Sequence, residues 1–389
     1  MMRQRKRKKT GYAEGLTGKI FVLLLLVIMA VNLVIPDRKM SEQEDRVLET
    51  LPGINMSTVM NGDFMEQWEG YMSDQFVGRD LWRSLRVSLD RLGGKRMENG
   101  VYIGKDGQLL EDIEVPEEGQ LSANMDAIRS FTETYPDVPV TMMLIPDAAT
   151  VLSGSLPAFA AVEDQRQLFG LAERELGDDV AWVDAASILN EHASEKLYYK
   201  TDSHWTTQAA FYVFQEAAPV LGIEGEVADN FVSYTVTDSF NGRLAAKSGV
   251  GLSEQETIDI YVPNEGDDDV VVNYVDEAKK TTSLYDSSAL EERDKYAVFL
   301  GGSTSLVDIR TVSTSERRLL VVKDSFAECF IPFLAPYYRE IVVVDPRYYG
   351  GTMADIMDAY RITDALILYS GNNFFTDNNI SGMFTGGQS

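Results

Sequence analysis

Leu319-Leu320-Val321-Val322-Lys323-Asp324-Ser325-Phe326 is the stretch from which the fold is read. Four apolar residues without alternation describe a strand buried on both faces, as in a parallel sheet covered by helices. The run breaks at a polar turn, and a helix is expected to follow. Ligands of open parallel sheets bind at the carboxyl ends of the strands. A serine at this corner presents its hydroxyl there. Its N–H, near a helix N-terminus, can stabilise an oxyanion. The plainer alternative is that Ser325 or Asp324 only caps the helix.

Similar apolar runs occur on either side, at 138–146 (with Thr141 the only polar member), 180–184, 296–300, 341–344 and 365–369. Amphipathic or helical stretches at 121–135, 163–176 and 205–221 alternate with them. This rhythm predicts an α/β domain with a parallel sheet covered on both faces. It is interrupted between about 225 and 294, where short alternating segments (231–236, 257–262, 270–275) separated by acidic loops predict a β-rich insertion. Residues 101–110 read as a hairpin around Asp106-Gly107. Residues 37–100 read as helical and polar, with Phe64, Trp68, Tyr71, Phe76 and Trp82 packing on a core. The expected organisation is therefore a tail and anchor at 1–36, a helical linker at 37–100, and a domain at 101–389 that carries the insertion.

The anchor is read from residues 20–35, an apolar run whose only polar member is Asn32; extended back to Leu16, it is long enough to span a bilayer. Residues 1–36 hold seven Lys or Arg and one acid, so the N-terminus is expected in the cytoplasm and the remainder outside. No small-x-small cleavage site near 30–36 argues for a signal peptide, so a retained single-pass anchor is expected. The net charge of −26 becomes −32 once that segment is set aside, which argues against nucleic acid as a partner. One cysteine, Cys329, excludes an internal disulfide. With only two histidines a zinc site is not expected, and the acidic run 265–269 reads as solvated charge rather than a calcium site. No cofactor is called for.

A neutral-pH proton carrier is confined to His192 or His204. His192 lies in the polar run Asn190-Glu191-His192-Ala193-Ser194-Glu195. His204 lies in Tyr198-Tyr199-Lys200-Thr201-Asp202-Ser203-His204-Trp205, one residue from a carboxylate. Asp202 can be a helix cap, or, if these residues lie on a loop, it can fold back to orient the imidazole. With Ser325 the set suffices for acyl transfer: Ser325 as nucleophile, His204 as base and then acid, Asp202 as orienter.

Asp-x-His-Trp upstream of a strand that runs into Asp-Ser-Phe resembles the DHHW family, and is similar to the alginate O-acetylation proteins of the SGNH hydrolase-like class. Ordinary SGNH esterases carry the serine block first; here Asp202-Ser203-His204 precedes Asp324-Ser325, the order of the acetylation branch. Lys323 stands where glycine is common, a departure expected to loosen or electrify the turn. Gly104-Lys105-Asp106-Gly107, Phe240-Asn241-Gly242-Arg243 and Lys247-Ser248-Gly249 also resemble family elements, and the resemblance covers most of 60–375. It implies an SGNH-like, flavodoxin-like sheet. It also implies oxyanion donors at the Ser325 N–H and at an asparagine after the last strand, for which Asn372 is preferred to Asn373; an asparagine satisfying its own turn is the alternative. The expected function is extracytoplasmic O-acetylation of an envelope or exopolysaccharide, with a polytopic membrane acyltransferase as partner. A polysaccharide acetylesterase using the same triad and a non-catalytic carbohydrate-binding or scaffold protein are the alternatives.

Overall fold

The computed structural model describes residues 2–41, 46–117, 119–250, 255–264 and 269–386, with side chains from residue 16 onward except that of Arg46. All of the acidic run 265–269 except Asp269 lies outside the described residues, as do the basic side chains before residue 15. The chain divides into two compact units, 1–95 and 96–389.

The smaller unit begins with α1 (Met2–Val34), of which Leu16–Val34 is apolar and long enough to cross a membrane and has no buried residue. A short antiparallel pair, β1 (Met40–Ser41) and β2 (Arg46–Val47), precedes α2 (Met56–Asn61), α3 (Asp63–Asp74) and α4 (Arg79–Leu92). Asn55 caps α2 by accepting from Thr58 N–H at 2.9 Å. Phe64, Trp68 and Tyr71 follow one another along α3, the first pair stacked and the second tilted, with ring centroids 6.2 and 5.9 Å apart. Trp68 is exposed and Asp74 is the only buried residue of α3, so the core packing expected of these rings is not found. The turn into α4 is tied to α1, the Val77 N–H donating to Asn32 Oδ1 at 2.6 Å.

The larger unit opens with a meander, β3 (Met97–Glu98), β4 (Val101–Ile103) and β5 (Leu109–Glu111). Its other strands are β6 (Val140–Ile145), β7 (Val180–Val183), β8 (Phe231–Phe240), β9 (Glu256–Pro263), β10 (Val270–Tyr274), β11 (Lys279–Thr281), β12 (Leu306–Thr311), β13 (Arg318–Lys323), β14 (Glu340–Val344) and β15 (Asp364–Ser370). The helices are α5 (Gln120–Thr134), α6 (Ala148–Val151), α7 (Gln165–Leu176), α8 (Ala185–Glu191), α9 (Thr207–Ala217), α10 (Arg243–Ser248), α11 (Met353–Tyr360), α12 (Gly371–Thr376) and α13 (Asn379–Thr385).

Eight strands form one sheet in the order β11-β10-β12-β14-β13-β15-β6-β7. From β14 to β7 the pairings are parallel; β12, β10 and β11 continue the sheet antiparallel. The apolar runs lack alternation because both faces are buried. Leu319 and Val321 join a core with Leu189, Val213 and Phe214 of α8 and α9, whereas Leu320 and Val322 join one with Ile128, Phe169, Ile356 and Phe384 of α5, α7, α11 and α13.

Three expectations need correction. The sheet is mixed, not parallel throughout; within the β-rich interval 225–294, β10 and β11 extend the main sheet, and β8 and β9 form a separate ribbon. Residues 296–300 are not a strand but a 3-10 turn, Lys295–Val298, whose apolar side chains fill the core. The antiparallel strand is β12 instead, which reads poorly because Asp308 and Arg310 interrupt it; Arg310 pairs with both Asp308 and Glu340 of β14. No α-helix follows Ser325. Two 3-10 turns, Ser325–Ala327 and Ile331–Leu334, make the crossover, the second with Pro332, which cannot donate within a helix, as its second residue.

Candidate active site

After β13 the chain returns first as β14 on one side and then as β15 on the other, so a crevice opens at the carboxyl end of β13. Ser325 stands there. Asp324 is fully buried and shapes the turn: Oδ1 accepts from Phe326 N–H at 2.9 Å, Oδ2 from Ser370 N–H at 2.9 Å and from Asn373 Nδ2 at 2.7 Å. The capping is thus done by Asp324, which leaves the Ser325 hydroxyl free for another partner. With a three-residue turn in place of a helix, no macrodipole stands behind the Ser325 N–H.

Lys323 does not electrify the turn. Its ammonium is buried and lies 2.8 Å from Glu328 and 3.6 Å from Asp345, and Asp345 is also held by Arg347 at 2.6 Å. A buried charge is tolerable when so paired. The Lys323–Glu328 pair closes across the turn that carries Ser325, and Glu328 also accepts from Ser303 Oγ at 2.9 Å.

His204 lies on a loop, not in a helix. α9 begins at Thr207 with Thr206 as its cap, so Asp202 is not needed for capping. Tyr198 and Trp205 form a bridge, and Thr206 N–H donates to Leu197 O at 2.8 Å, which closes residues 198–205 into a tight loop. Three remote segments hold it. Gln108 Nε2 and Leu109 N–H donate to Tyr199 O and Lys200 O at 3.0 and 2.9 Å. The Glu256 carboxylate accepts from the backbone N–H groups of Lys200 and Thr201, each at 2.9 Å, and from Thr201 Oγ1 at 2.6 Å. Gly242 N–H donates to Thr201 Oγ1 at 3.0 Å, and Arg243 N–H to Asp202 Oδ2 at 2.9 Å. Gly242 must lack a side chain, since a Cβ there would come within 2.3 Å of Asp202 Cβ.

The loop and the turn meet. His204 Nδ1 lies 2.5 Å from Asp202 Oδ1, and Nε2 lies 2.8 Å from Ser325 Oγ. Tyr296 stacks flat on the imidazole at 3.9 Å and Phe326 lies against it at 5.2 Å, so the ring cannot swing out of line. Trp205 Nε1 donates to Phe326 O at 2.9 Å, a direct bond between the histidine loop and the serine turn.

Burial works against a charged carboxylate at Asp202, but the His204 imidazole and the backbone N–H groups of Arg243 and His204 outweigh it and hold its pKa down at about 2. Burial likewise disfavours the imidazolium, and the Asp202 carboxylate overcomes this, so the His204 pKa is raised above its ordinary value. A carboxylate fixed on Nδ1 sets the tautomer in which Nε2 can accept a proton from Ser325.

Asn372 is placed differently. Its Nδ2 donates to Asp112 O at 2.8 Å, and its Oδ1 accepts from Glu114 N–H and Gln165 Nε2 at 3.0 and 3.1 Å. Its own N–H donates to Asp147 Oδ2 at 2.8 Å. These bonds join α12 to 112–114, α7 and the end of β6, and none of them reaches the three residues of the site. Asn373 is bonded to Asp324. Asp147 is buried within this network, and desolvation raises its pKa to about 7 against the hydrogen bonds from Gln165 and Asn372. The sequence by itself marks no role for Tyr296, Trp205, Gly242 or Glu256. Only the Asn-Gly-Arg and His-Trp neighbourhoods carried a signal for two of them. Among the described residues no group of three or more His, Cys, Asp or Glu is placed to hold a metal ion.

A family model described as DHHW protein matches residues 138–344, a little over half of the chain, and includes Asp202, His204 and Ser325 but not Asn372. In place of the second letter of that name this chain has Ser203. No curated protein matches. Among solved structures, a DHHW family protein from Eubacterium siraeum is similar at 22% identity and a TM-score of 0.61, over 73% of this chain and 98% of that one. Bacillus cereus PatB1 with a sulfonyl adduct is similar at 20% identity and a TM-score of 0.61, over 73% and 97%. Both likenesses concern the α/β fold with its mixed sheet.

Proposed function

The chain belongs to the DHHW family, and from that premise we propose that it is an SGNH-type O-acetyltransferase working outside the cell membrane on an envelope or exopolysaccharide. The observation that carries this reading is the unbroken line Asp202 Oδ1, His204 Nδ1, His204 Nε2, Ser325 Oγ, with separations of 2.5 and 2.8 Å at its two contacts.

In this mechanism His204 Nε2 takes the Ser325 hydroxyl proton as Oγ attacks an acetyl carbonyl. The imidazolium, steadied by Asp202, returns the proton to the departing alkoxide, leaving acetyl-Ser325 and a free alcohol. A sugar hydroxyl then attacks the acetyl-serine. His204 removes the proton of that hydroxyl and gives it to Ser325 Oγ as the enzyme ester breaks. The proposed oxyanion donor is the Ser325 N–H; Asn372 would serve only by leaving Asp112. Water can replace the sugar hydroxyl with the same residues, which makes a polysaccharide acetylesterase the variant of this reading that differs in acceptor alone.

The apolar helix near the N-terminus supports a single-pass anchor, and the basic residues before it support an outward-facing catalytic unit. A polytopic membrane acyltransferase is proposed to supply the acetyl group at the outer face. The test is turnover of p-nitrophenyl acetate by the full chain in detergent. Ser325→Ala and His204→Ala are each expected to lower kcat/KM by about 10³-fold or more with folding intact. Wild-type turnover equal to that of Ser325→Ala would remove the acyl-enzyme and favour a carbohydrate-binding or scaffold role.

A further inference from the structure

α4 is turned inside out. Its sequence, Arg-Asp-Leu-Trp-Arg-Ser-Leu-Arg-Val-Ser-Leu-Asp-Arg-Leu, places Leu81, Trp82, Leu85, Leu89 and Leu92 on one face. In a helix packed on a water-soluble core that face points inward. Here all five of these side chains are between 46 and 85% exposed. The inward side is polar instead: the Arg79 side chain is only 13% exposed and lies 3.5 Å from Asp74, and Asp80 pairs with Arg38 at 3.0 Å. Only Val87 is buried. The core packing expected of Trp82 from sequence is therefore not found.

Five large apolar side chains left this open to water forgo the stabilisation that burial would give them, so the arrangement makes sense against an apolar surface. We propose that α4 lies on the outer leaflet of the membrane that its own α1 crosses, with Leu81, Trp82, Leu85, Leu89 and Leu92 immersed at the headgroup boundary; this rests on the reading of α1 as an anchor. Two observations select the bilayer as occupant. The first is continuity: Asn32, the only polar residue of the apolar run, bonds Val77 two residues before α4 begins, so the helix starts beside the end of the spanning segment. The second is charge. α4 carries four arginines against two aspartates in a chain of net charge −26, and Arg86, four residues after Trp82, borders the apolar face with its side chain 71% exposed. An amphipathic helix with tryptophan on its apolar side and arginine at its rim is suited to an interface containing anionic lipid.

The test uses the full chain in vesicles of phosphatidylcholine and phosphatidylglycerol with no other protein present. A nitrobenzoxadiazole label is placed on Leu85→Cys and, separately, on Leu26→Cys within α1. Cys329 is buried and does not compete for the label. Quenching by a nitroxide on the lipid acyl chain is compared with quenching by aqueous iodide. The expected result is several-fold stronger quenching by the lipid nitroxide at both positions. Lipid quenching at Leu26 alone, with the Leu85 label open to iodide or shielded from both quenchers, overturns the docking of α4 and leaves the anchor standing. Iodide quenching at Leu26 overturns the anchor reading and the docking together.

Discussion

The two halves of the proposed catalytic line differ in how much of their support is local. Ser325 stands on a turn that continues a central strand; Asp324 caps it and the Lys323–Glu328 pair clips it within six residues, while Ser370 and Asn373 add two donors to Asp324 from the end of β15 and the start of α12. His204 stands on a loop with no helix or strand of its own, held by Gly242 and Arg243 about 40 residues later and by Glu256 more than 50 residues later. If Ser325 is the nucleophile and His204 the base, the partly local support of the first is expected to tolerate the loss of one remote bond better than the mainly remote support of the second.

The comparison is broken or sharpened by graded substitutions. Asp202→Asn is expected to lower kcat/KM by about 10⁴-fold, since an amide holds the wrong tautomer on Nδ1. It also moves the pH profile. In the wild type the rate is expected to rise with pH as His204 loses its proton, at a pH above the ordinary imidazole value because the Asp202 carboxylate, against burial, raises its pKa. Without that charge burial dominates, and the acid limb measured on the residual activity is expected at lower pH. A limb that stays in place would remove Asp202 from the electrostatics of the site.

Gly242→Ala forces a Cβ against Asp202 and is expected to cost about 10²-fold in kcat, the scale of a misplacement near 1 Å, while the fold persists. On the serine side, Asn373→Ala removes one of three donors to Asp324 and is expected to lower kcat less than tenfold. Equal losses in the two variants would erase the contrast between the two supports. The smallest effect is expected from Trp205→Phe, which leaves Phe326 O without its indole donor and lowers stability by about 1–2 kcal/mol in urea unfolding.

The difference also explains what was legible in the sequence. The serine turn is local, so a short apolar run ending in Asp-Ser was enough to find strand, corner and hydroxyl. Asp202 and His204 could be named as a pair because they are two residues apart. Their supports could not, because nothing in Glu256 or Gly242 marks the loop each of them reaches. Tyr296 was hidden for another reason: its apolar run reads as a strand, yet it serves as a packing plate under the imidazole. β12 was missed because its charged residues pair across the sheet, and Asn372 was assigned to the site although its amide belongs to a network around Asp147 and Gln165.

The central claim is that an acetyl group rests on Ser325. The most direct measurement is a peptide mass map of the chain after brief exposure to p-nitrophenyl acetate and acid quench. The triad mechanism requires acetyl on the peptide containing Ser325 in the wild type, and its absence from His204→Ala. Ester turnover with that peptide unmodified at every quench time, or an acetyl group found stably on another residue, would contradict it.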